Sequence, residues 1–296
     1  MNHSTFKSFT FGIGLFFTLP LVYGNSSSPS SSDGTLYINK SKTHKVAPVK
    51  YGFHYEEIGM MGEGALHAEL IRNRSFEEAT PPAGLSVKNG LYENVPAPRV
   101  KEKKVFQADP LIGWTTYPLS YTPVFISRTD ENPMSGENKY SMLVNVTEDI
   151  ANHPDALILN RGYYGMNLKT DTSYRLSLFL KNRNYSAPLR VFLVDEWGQR
   201  VSNVIEVNVG NRDWTKYTGE LKPEKNVRRG MFAIQPMSKG QFQIDVVSLF
   251  PSDTWNDGKS VFRKDIVQNL KEFSPSFIRF PGGCIVHGVN EETIDR

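Results

Sequence analysis

The chain has a single cysteine, Cys284, so neither a disulfide framework nor a thiolate metal cluster is available to it. Its six histidines show no H-E-x-x-H spacing, which removes the common zinc hydrolase arrangement. No P-loop and no dinucleotide-binding glycine fingerprint occurs. Charge of one sign is also lacking: 34 Lys+Arg face 31 Asp+Glu, a net +3. The one short basic run, Arg99 to Lys104, is interrupted by Glu102. Nucleic acid is therefore not an expected partner, since that needs a concentrated basic face. What is present, over 296 residues, is 39% hydrophobic and 12% aromatic, a globular profile with room for one large domain or two ordinary ones. Any chemistry falls to carboxylates, hydroxyls and aromatics.

The amino terminus carries a targeting pattern. Lys7 precedes an apolar stretch from Phe11 to Tyr23, and small residues near Gly24 lead into polar sequence. A positive start, a short apolar core and a cleavable end make a secretory signal peptide over residues 1–24. The apolar core is shorter than the roughly 20 residues that span a bilayer, so no membrane association is expected after cleavage. The Ser-rich segment 25–34 reads as a flexible linker. The mature protein is thus expected to be secreted or periplasmic. Sequons at Asn39, Asn73, Asn145 and Asn184 matter only in a host that glycosylates.

Beyond the linker the sequence divides into three parts. Residues 35–74 hold a short strand at Thr35 to Asn39 and an aromatic, β-branched strand at Val49 to Ile58, then good helix formers from Ala65 to Ile71. Residues 75–250 are a succession of β segments, among them YRLSLFL at Tyr174 to Leu180 and LRVFLV at Leu189 to Val194. Many short strands parted by Gly, Pro, Asn and Asp turns predict an antiparallel β-sandwich of jelly-roll size. In residues 251–296 the period changes: Lys259 to Phe273 places Val261, Phe262, Ile266, Val267, Leu270 and Phe273 on one helical face. Asn256 to Gly258 supplies a start signal, and Ser274-Pro275 ends the helix. Ser276 to Phe280 reads as a buried strand running into Pro281-Gly282-Gly283-Cys284, a βα-barrel or open α/β pattern. The fold class is therefore α/β plus all-β. A complete eight-stranded barrel needs about 250 residues of its own, so the α/β part is expected to be partial and the chain to be the amino-terminal part of a longer protein.

Two distant blocks resemble one family. Tyr51-Gly-Phe-His-Tyr-Glu-Glu-Ile58 with Glu63-Gly-Ala-Leu-His-Ala-Glu-Leu-Ile-Arg-Asn-Arg-Ser-Phe-Glu77 resembles the opening of glycoside hydrolase family 51, the α-L-arabinofuranosidases. Ser248-Leu-Phe-Pro through Leu270, with Pro275-Ser-Phe-Ile-Arg-Phe-Pro-Gly-Gly-Cys284, is similar to that family's second barrel strand and its loop. The intervening 75–250 looks like a CenC-type carbohydrate-binding module inserted after the first barrel strand. The resemblance implies a partial (β/α)8 barrel, first strands only, in 35–74 and 251–296. It also implies hydrolysis of terminal arabinofuranosyl residues from plant polysaccharides such as arabinan and arabinoxylan, with retention of configuration. The alternative is a carbohydrate-binding protein without catalysis.

Period-two alternation puts Gly52, His54 and Glu56 on one strand face, with Glu56 at the carboxyl end where barrel sites are built. Taken alone, that pattern equally fits a solvated or ion-paired glutamate. The resemblance implies that Glu56, Gly283 and Cys284 bind substrate; Arg279, within the strand, reads as a buried ion-pair partner beneath them. The resemblance also implies a structural calcium held by Glu77 or Glu78 and Asp245, with no cofactor required for catalysis; an ordinary surface carboxylate fits those positions equally well. Retaining glycosidases need two carboxyl groups about 5–5.5 Å apart. In the family both are glutamates on later barrel strands, the acid/base one following an asparagine. No Asn-Glu pair occupies such a strand here, Asn290-Glu291 coming directly after the Gly-Gly-Cys loop. No catalytic residue is therefore expected within the chain, which is expected to be inactive alone. The aromatics Trp114, Tyr117, Tyr163, Tyr164, Trp197 and Trp214 fit either stacking on sugar rings or sandwich core; core is the expected role, for Trp214 in particular. The sequence leaves oligomeric state and linkage preference open.

Overall fold

In the computed structural model, residues 51–56, 60–78 and 109–280 are described, together with positions 41 and 45 and the backbone of three short strands, 85–88, 91–94 and 105–107. The signal peptide, the linker and the predicted strand at 35–39 lie outside the described residues, as do Gly283 and Cys284. The chain divides between Ala47 and Pro48, and the elements below all belong to Pro48–Arg296.

In chain order the strands are Phe53–His54 (β1), then Leu85–Lys88 (β2), Leu91–Asn94 (β3) and Val105–Gln107 (β4), which form a small antiparallel sheet. Trp114–Tyr117 (β5), Val124–Thr129 (β6), Ser141–Val146 (β7), Leu157–Asn160 (β8), Met166–Leu168 (β9) and Tyr174–Asn182 (β10) follow. Pro188–Val194 (β11), Ile205–Asn208 (β12), Thr215–Leu221 (β13), Val227–Pro236 (β14) and Gly240–Pro251 (β15) complete the β region. A helix at Lys264–Phe273 (α1) then leads to Ile278–Arg279 (β16). Among the described residues, no helix is long and apolar enough to cross a membrane.

The β region is an antiparallel sandwich. One sheet has the order β13-β10-β15-β7-β6; the other runs β12-β11-β14-β8-β5, with β9 paired to β14. Alternation decides which side chains go inside. Tyr174, Leu176, Leu178 and Leu180 of β10 are buried while Arg175 is exposed. They meet Leu189, Val191, Leu193, Phe232 and Ile234 of the opposite sheet in one continuous core. Burial of each such side chain contributes about 1.5–3 kcal/mol. The second sheet is apolar on its other face as well, where Leu157, Leu159, Phe192, Val194, Met231 and Ala233 form a separate cluster.

In β15 the inward set runs Phe242, Ile244 and then Val247, Leu249, a change of phase by one residue. Its cause is a bulge: pairing with β10 shifts between Ser177 and Phe179, and Val246 takes φ 43°. One extra residue in one strand turns the alternation over and leaves a local kink.

Outside the sandwich, β1 and β16 pair in parallel, Phe53 opposite Ile278 and His54 opposite Arg279. The ring of Phe53 packs edge-on against Phe273 of α1, with centroids 5.7 Å apart. That face of β1 therefore carries the helix, and Gly52, His54 and Glu56 point away from it. A Cβ on Gly52 would come within 2.5 Å of the Phe277 ring, so a larger residue would displace that ring.

Two predicted helical stretches differ from the structure. Ala65 to Ile71 is not a helix: Gly62–Leu66 makes one wide π-type turn, after which the chain extends, His67 bridging to Phe262 and Leu70 N donating to Leu249 O at 3.1 Å. Pairing with distant chain outweighs the helix propensity of these residues. Helix α1 starts at Lys264 rather than Lys259, because Asn256, Asp257 and Gly258 take positive φ in a tight turn and Phe262 is held by His67. Its end at Ser274, in the left-handed conformation, is where the sequence put it. The predicted strand at Ser276 to Phe280 shortens to β16 and is exposed instead of buried, since among the described residues only β1 pairs with it.

Candidate functional site

The carboxyl ends of β1 and β16 lie side by side. Phe53 N donates to Phe277 O at 3.0 Å and Tyr55 N to Arg279 O at 2.8 Å, which fixes the parallel register. Glu56 is the next residue, half-buried, and the chain leaves β16 at Phe280 toward residues 281–284. Tyr55 and Phe280 keep the two ends together, their rings 5.9 Å apart, and the Tyr55 hydroxyl donates to Met61 O at 2.9 Å. His54, Glu56 and Arg279 share the face turned away from α1, since His54 and Arg279 are register partners. Arg279 is exposed, a correction to the buried ion-pair role expected of it, β16 being paired among the described residues with β1 alone. A carboxylate here can accept hydrogen bonds from two neighbouring hydroxyls of a bound ring and fix its orientation.

Glu77 and Asp245 come together at the β15 bulge. Asp245 is fully buried; its Oδ2 accepts from Asn138 Nδ2 at 3.0 Å and its Oδ1 from Val246 N at 2.7 Å. Glu77 Oε1 accepts from the backbone N–H groups of Lys139 and Tyr140 at 2.6 and 2.9 Å. Burial, reinforced by the Glu77 charge, pushes the Asp245 carboxyl up to about 7. Glu78 is not part of this pair: its carboxylate accepts from Arg72 Nε at 3.0 and 3.4 Å and from Nη2 at 2.8 Å. Among the described residues no three His, Cys, Asp or Glu side chains are spaced to hold a metal. The hard oxygens at the bulge are those of the two carboxylates, toward which Asn138 turns its amide nitrogen, so a calcium there would need backbone carbonyls as well.

The aromatics divide. Trp114 is core, its indole donating to Asn73 O at 3.1 Å. Trp214 is only half-buried and donates to Asn132 O at 3.1 Å, so the core role expected of it is corrected. Trp197 and Tyr164 are 72% and 77% exposed. The Asn73 sequon is buried, its amide spent between Pro110 O and Glu78 N, so the folded chain does not offer it for glycosylation.

Glu69 went unnoticed in the sequence. It is 4% exposed, and Oε1 accepts from Ile71 N at 3.0 Å and Leu249 N at 2.8 Å, while Oε2 accepts from Ser248 Oγ at 2.6 Å. It fastens the chain entering the sandwich to the strand leaving it. Only its place in the Glu63 to Glu77 block marked it, and no local pattern distinguishes it there from a solvated helix residue.

No protein-family model matches the chain. Curated relatives do. Alpha-L-arabinofuranosidase 1 of Arabidopsis thaliana is 27% identical over 243 residues, 80% of this chain and 32% of the relative. The extracellular exo-alpha-L-arabinofuranosidase of Streptomyces chartreusis is 26% identical over 239 residues, 80% of this chain and 24% of the relative. A probable alpha-L-arabinofuranosidase A of Aspergillus flavus is 24% identical over 288 residues, covering 94% and 38%. An arabinose-bound family 51 α-L-arabinofuranosidase structure superposes with a TM-score of 0.65 at 24% identity, over 86% of this chain and 37% of that one.

The chain is similar to the α-L-arabinofuranosidases and, in fold, to a family 51 member. It spans 24% to 38% of the length of the relatives just described.

Proposed function

We propose that this chain is the amino-terminal portion of an exported, retaining α-L-arabinofuranosidase that removes terminal arabinofuranosyl residues from plant polysaccharides. The observation that carries the reading is the parallel pairing of β1 with β16, which sets Glu56 beside the chain leading to Gly283 and Cys284. In this reading Glu56 binds the sugar, Gly283 lets the backbone approach it, and Cys284 packs against the ring. The pair is the start of a barrel, and the sandwich is a carbohydrate-binding module of the CenC type inserted into it. Support comes from the exposed apolar residues Phe273, Phe277, Ile278 and Phe280, a surface that further barrel elements would cover. The two catalytic carboxyl groups belong to those further strands. The leader at residues 1–24 accounts for export.

The test is turnover of the complete gene product on aryl α-L-arabinofuranoside, against aryl xyloside and galactofuranoside. Preferred hydrolysis of the arabinofuranoside, with retained anomeric configuration by NMR, is expected. Lack of turnover on all three overturns the activity. In the active enzyme Glu56→Gln is expected to lower kcat/KM about 10- to 100-fold, the loss that follows from one charge-assisted hydrogen bond of about 1.5–3 kcal/mol. Unchanged kinetics would remove Glu56 from the site.

The calcium reading is tested separately. Glu77 and Asp245 would hold the ion and have their charge neutralised by it. Millimolar calcium is expected to raise the melting temperature of the chain by several degrees over the EDTA-treated protein. Coincident melting curves would dismiss the ion.

A further inference from the structure

A cleft of about 560 Å³ lies where the sandwich meets the chain around it, between the 64–70 segment, the 163–174 loop, residues 251–254 and the first turns of α1. Its size is that of sites which take small ligands. Glu56 is not among its lining residues.

One wall depends on Gly162, at φ 60°, where a Cβ would come 2.7 Å from Leu70 O; only glycine lets this loop lie so close. Tyr163 is anchored there, its hydroxyl donating to Glu63 Oε2 at 3.2 Å and the Arg72 guanidinium lying 5.8 Å from its ring centroid. Tyr164, the next residue, lines the cleft yet stays 77% exposed. On the sandwich side, Thr254 also lines it and is 1% exposed, and its hydroxyl oxygen has no hydrogen-bond partner among the described residues. Buried hydroxyls are nearly always paired, which makes this one the exception among the described residues.

The charges around the cleft oppose one another. Asp253 and Asp265 face Lys169, Arg263 and Lys264, and Arg263 is already bound to Asp265. Burial, with Arg74 adding to it, pushes the His67 imidazole below its usual pKa and favours its neutral form. Gln268 and Asn167 add amides that both donate and accept. No single-sign field awaits an anion or a cation. An exposed aromatic ring, mixed donors and acceptors and balanced charge match a neutral sugar, which has an apolar C–H face and a rim of hydroxyls.

We propose that this cleft is a carbohydrate subsite, taking a neutral glycosyl unit stacked on Tyr164 and hydrogen-bonded to Thr254. The proposal rests on the carbohydrate-active reading above, but not on turnover.

The experiment is calorimetric titration of the chain with arabinotriose and with xylotriose, comparing wild type, Tyr164→Ala and Thr254→Val. At least one trisaccharide is expected to bind. Thr254→Val is expected to weaken it about 3- to 10-fold, the loss of one hydrogen bond. Tyr164→Ala is expected to weaken it about ten-fold through the lost ring contact. The free Thr254→Val protein is expected to melt at or above the wild-type temperature, because the hydroxyl it removes has no partner. Failure of both sugars to bind the wild type overturns the proposal. So does wild-type affinity in both folded variants, or a lower melting temperature for Thr254→Val, which would mark a structural hydroxyl. Binding lost in the variants while the complete enzyme hydrolyses no arabinofuranoside would keep the cleft and discard the activity.

Discussion

Trp114→Ala is expected to destabilise the sandwich by about 3–5 kcal/mol, the range for emptying an aromatic site in a packed core. The indole is 6% exposed and lies between two other rings, Phe76 at 5.6 Å and Phe232 at 6.3 Å between centroids. Phe76 belongs to the chain entering the sandwich and Phe232 to the centre of β14. Truncation therefore opens a cavity and also releases the Asn73 carbonyl, which the indole N–H holds at 3.1 Å. The melting temperature should fall on the order of 10 °C. Trp197→Ala serves as the control. With 72% of that residue exposed, the change should stay within about 0.5 kcal/mol. Equal losses in the two variants would contradict the core assignment.

Removing the Glu69 carboxylate is the other large effect. In Glu69→Ala the backbone N–H groups of Ile71 and Leu249 lose their acceptor inside the fold, as does the Ser248 hydroxyl. An unpaired buried donor costs about 1–3 kcal/mol, so the two backbone groups alone set an expected loss of about 2–6 kcal/mol, measurable by urea unfolding. Glu69→Gln keeps an acceptor and should lose much less at neutral pH. The pair of variants also separates hydrogen bonding from charge. Burial raises the Glu69 pKa above its usual value, although its three donors oppose the shift. A carboxyl that binds its proton more tightly when folded stabilises the protein fully below its unfolded pKa. That contribution disappears as pH rises through the folded pKa. The stability of Glu69→Gln relative to wild type should therefore improve as pH rises across that window. A difference independent of pH would mean that Glu69 titrates alike in the folded and unfolded states.

The parts of this fold that were legible in the sequence depend on local pattern. The alternation in Tyr174 to Leu180 gave β10, and Ser274-Pro275 gave the end of α1. Parallel partners for the two aromatic strands followed from the family resemblance, and β1 and β16 do pair. What could not be read depends on distant chain. The amphipathic pattern runs unbroken through Val261 and Phe262, and only the bridge to His67 keeps them out of the helix. The bulge at Val246 leaves no mark in a sequence that goes on alternating, yet it sets where Asp245 lies. The choice between Glu77 and Glu78 was open because neighbours in sequence look alike. In the fold Arg72 pairs with Glu78, and Glu77 is the carboxylate that lies by Asp245. The cleft at Thr254 was invisible for the same reason, since its walls come from four separate stretches.

The route of the chain into and out of the sandwich has a consequence for how the molecule assembles. Tyr51 and Phe273, joined by a hydrogen bond, are 222 residues apart in sequence. Closing a flexible loop of that length carries a chain-entropy cost on the order of 5 kcal/mol, more than a pair of two-residue strands can offset. Yet Leu70 N reaches Leu249 O and Val247 N reaches Arg74 O, so the folded sandwich delivers both of its stalks to the same place. Once it has formed, β1 and β16 would meet across a short effective tether, and the sandwich would be the scaffold on which the parallel pair nucleates.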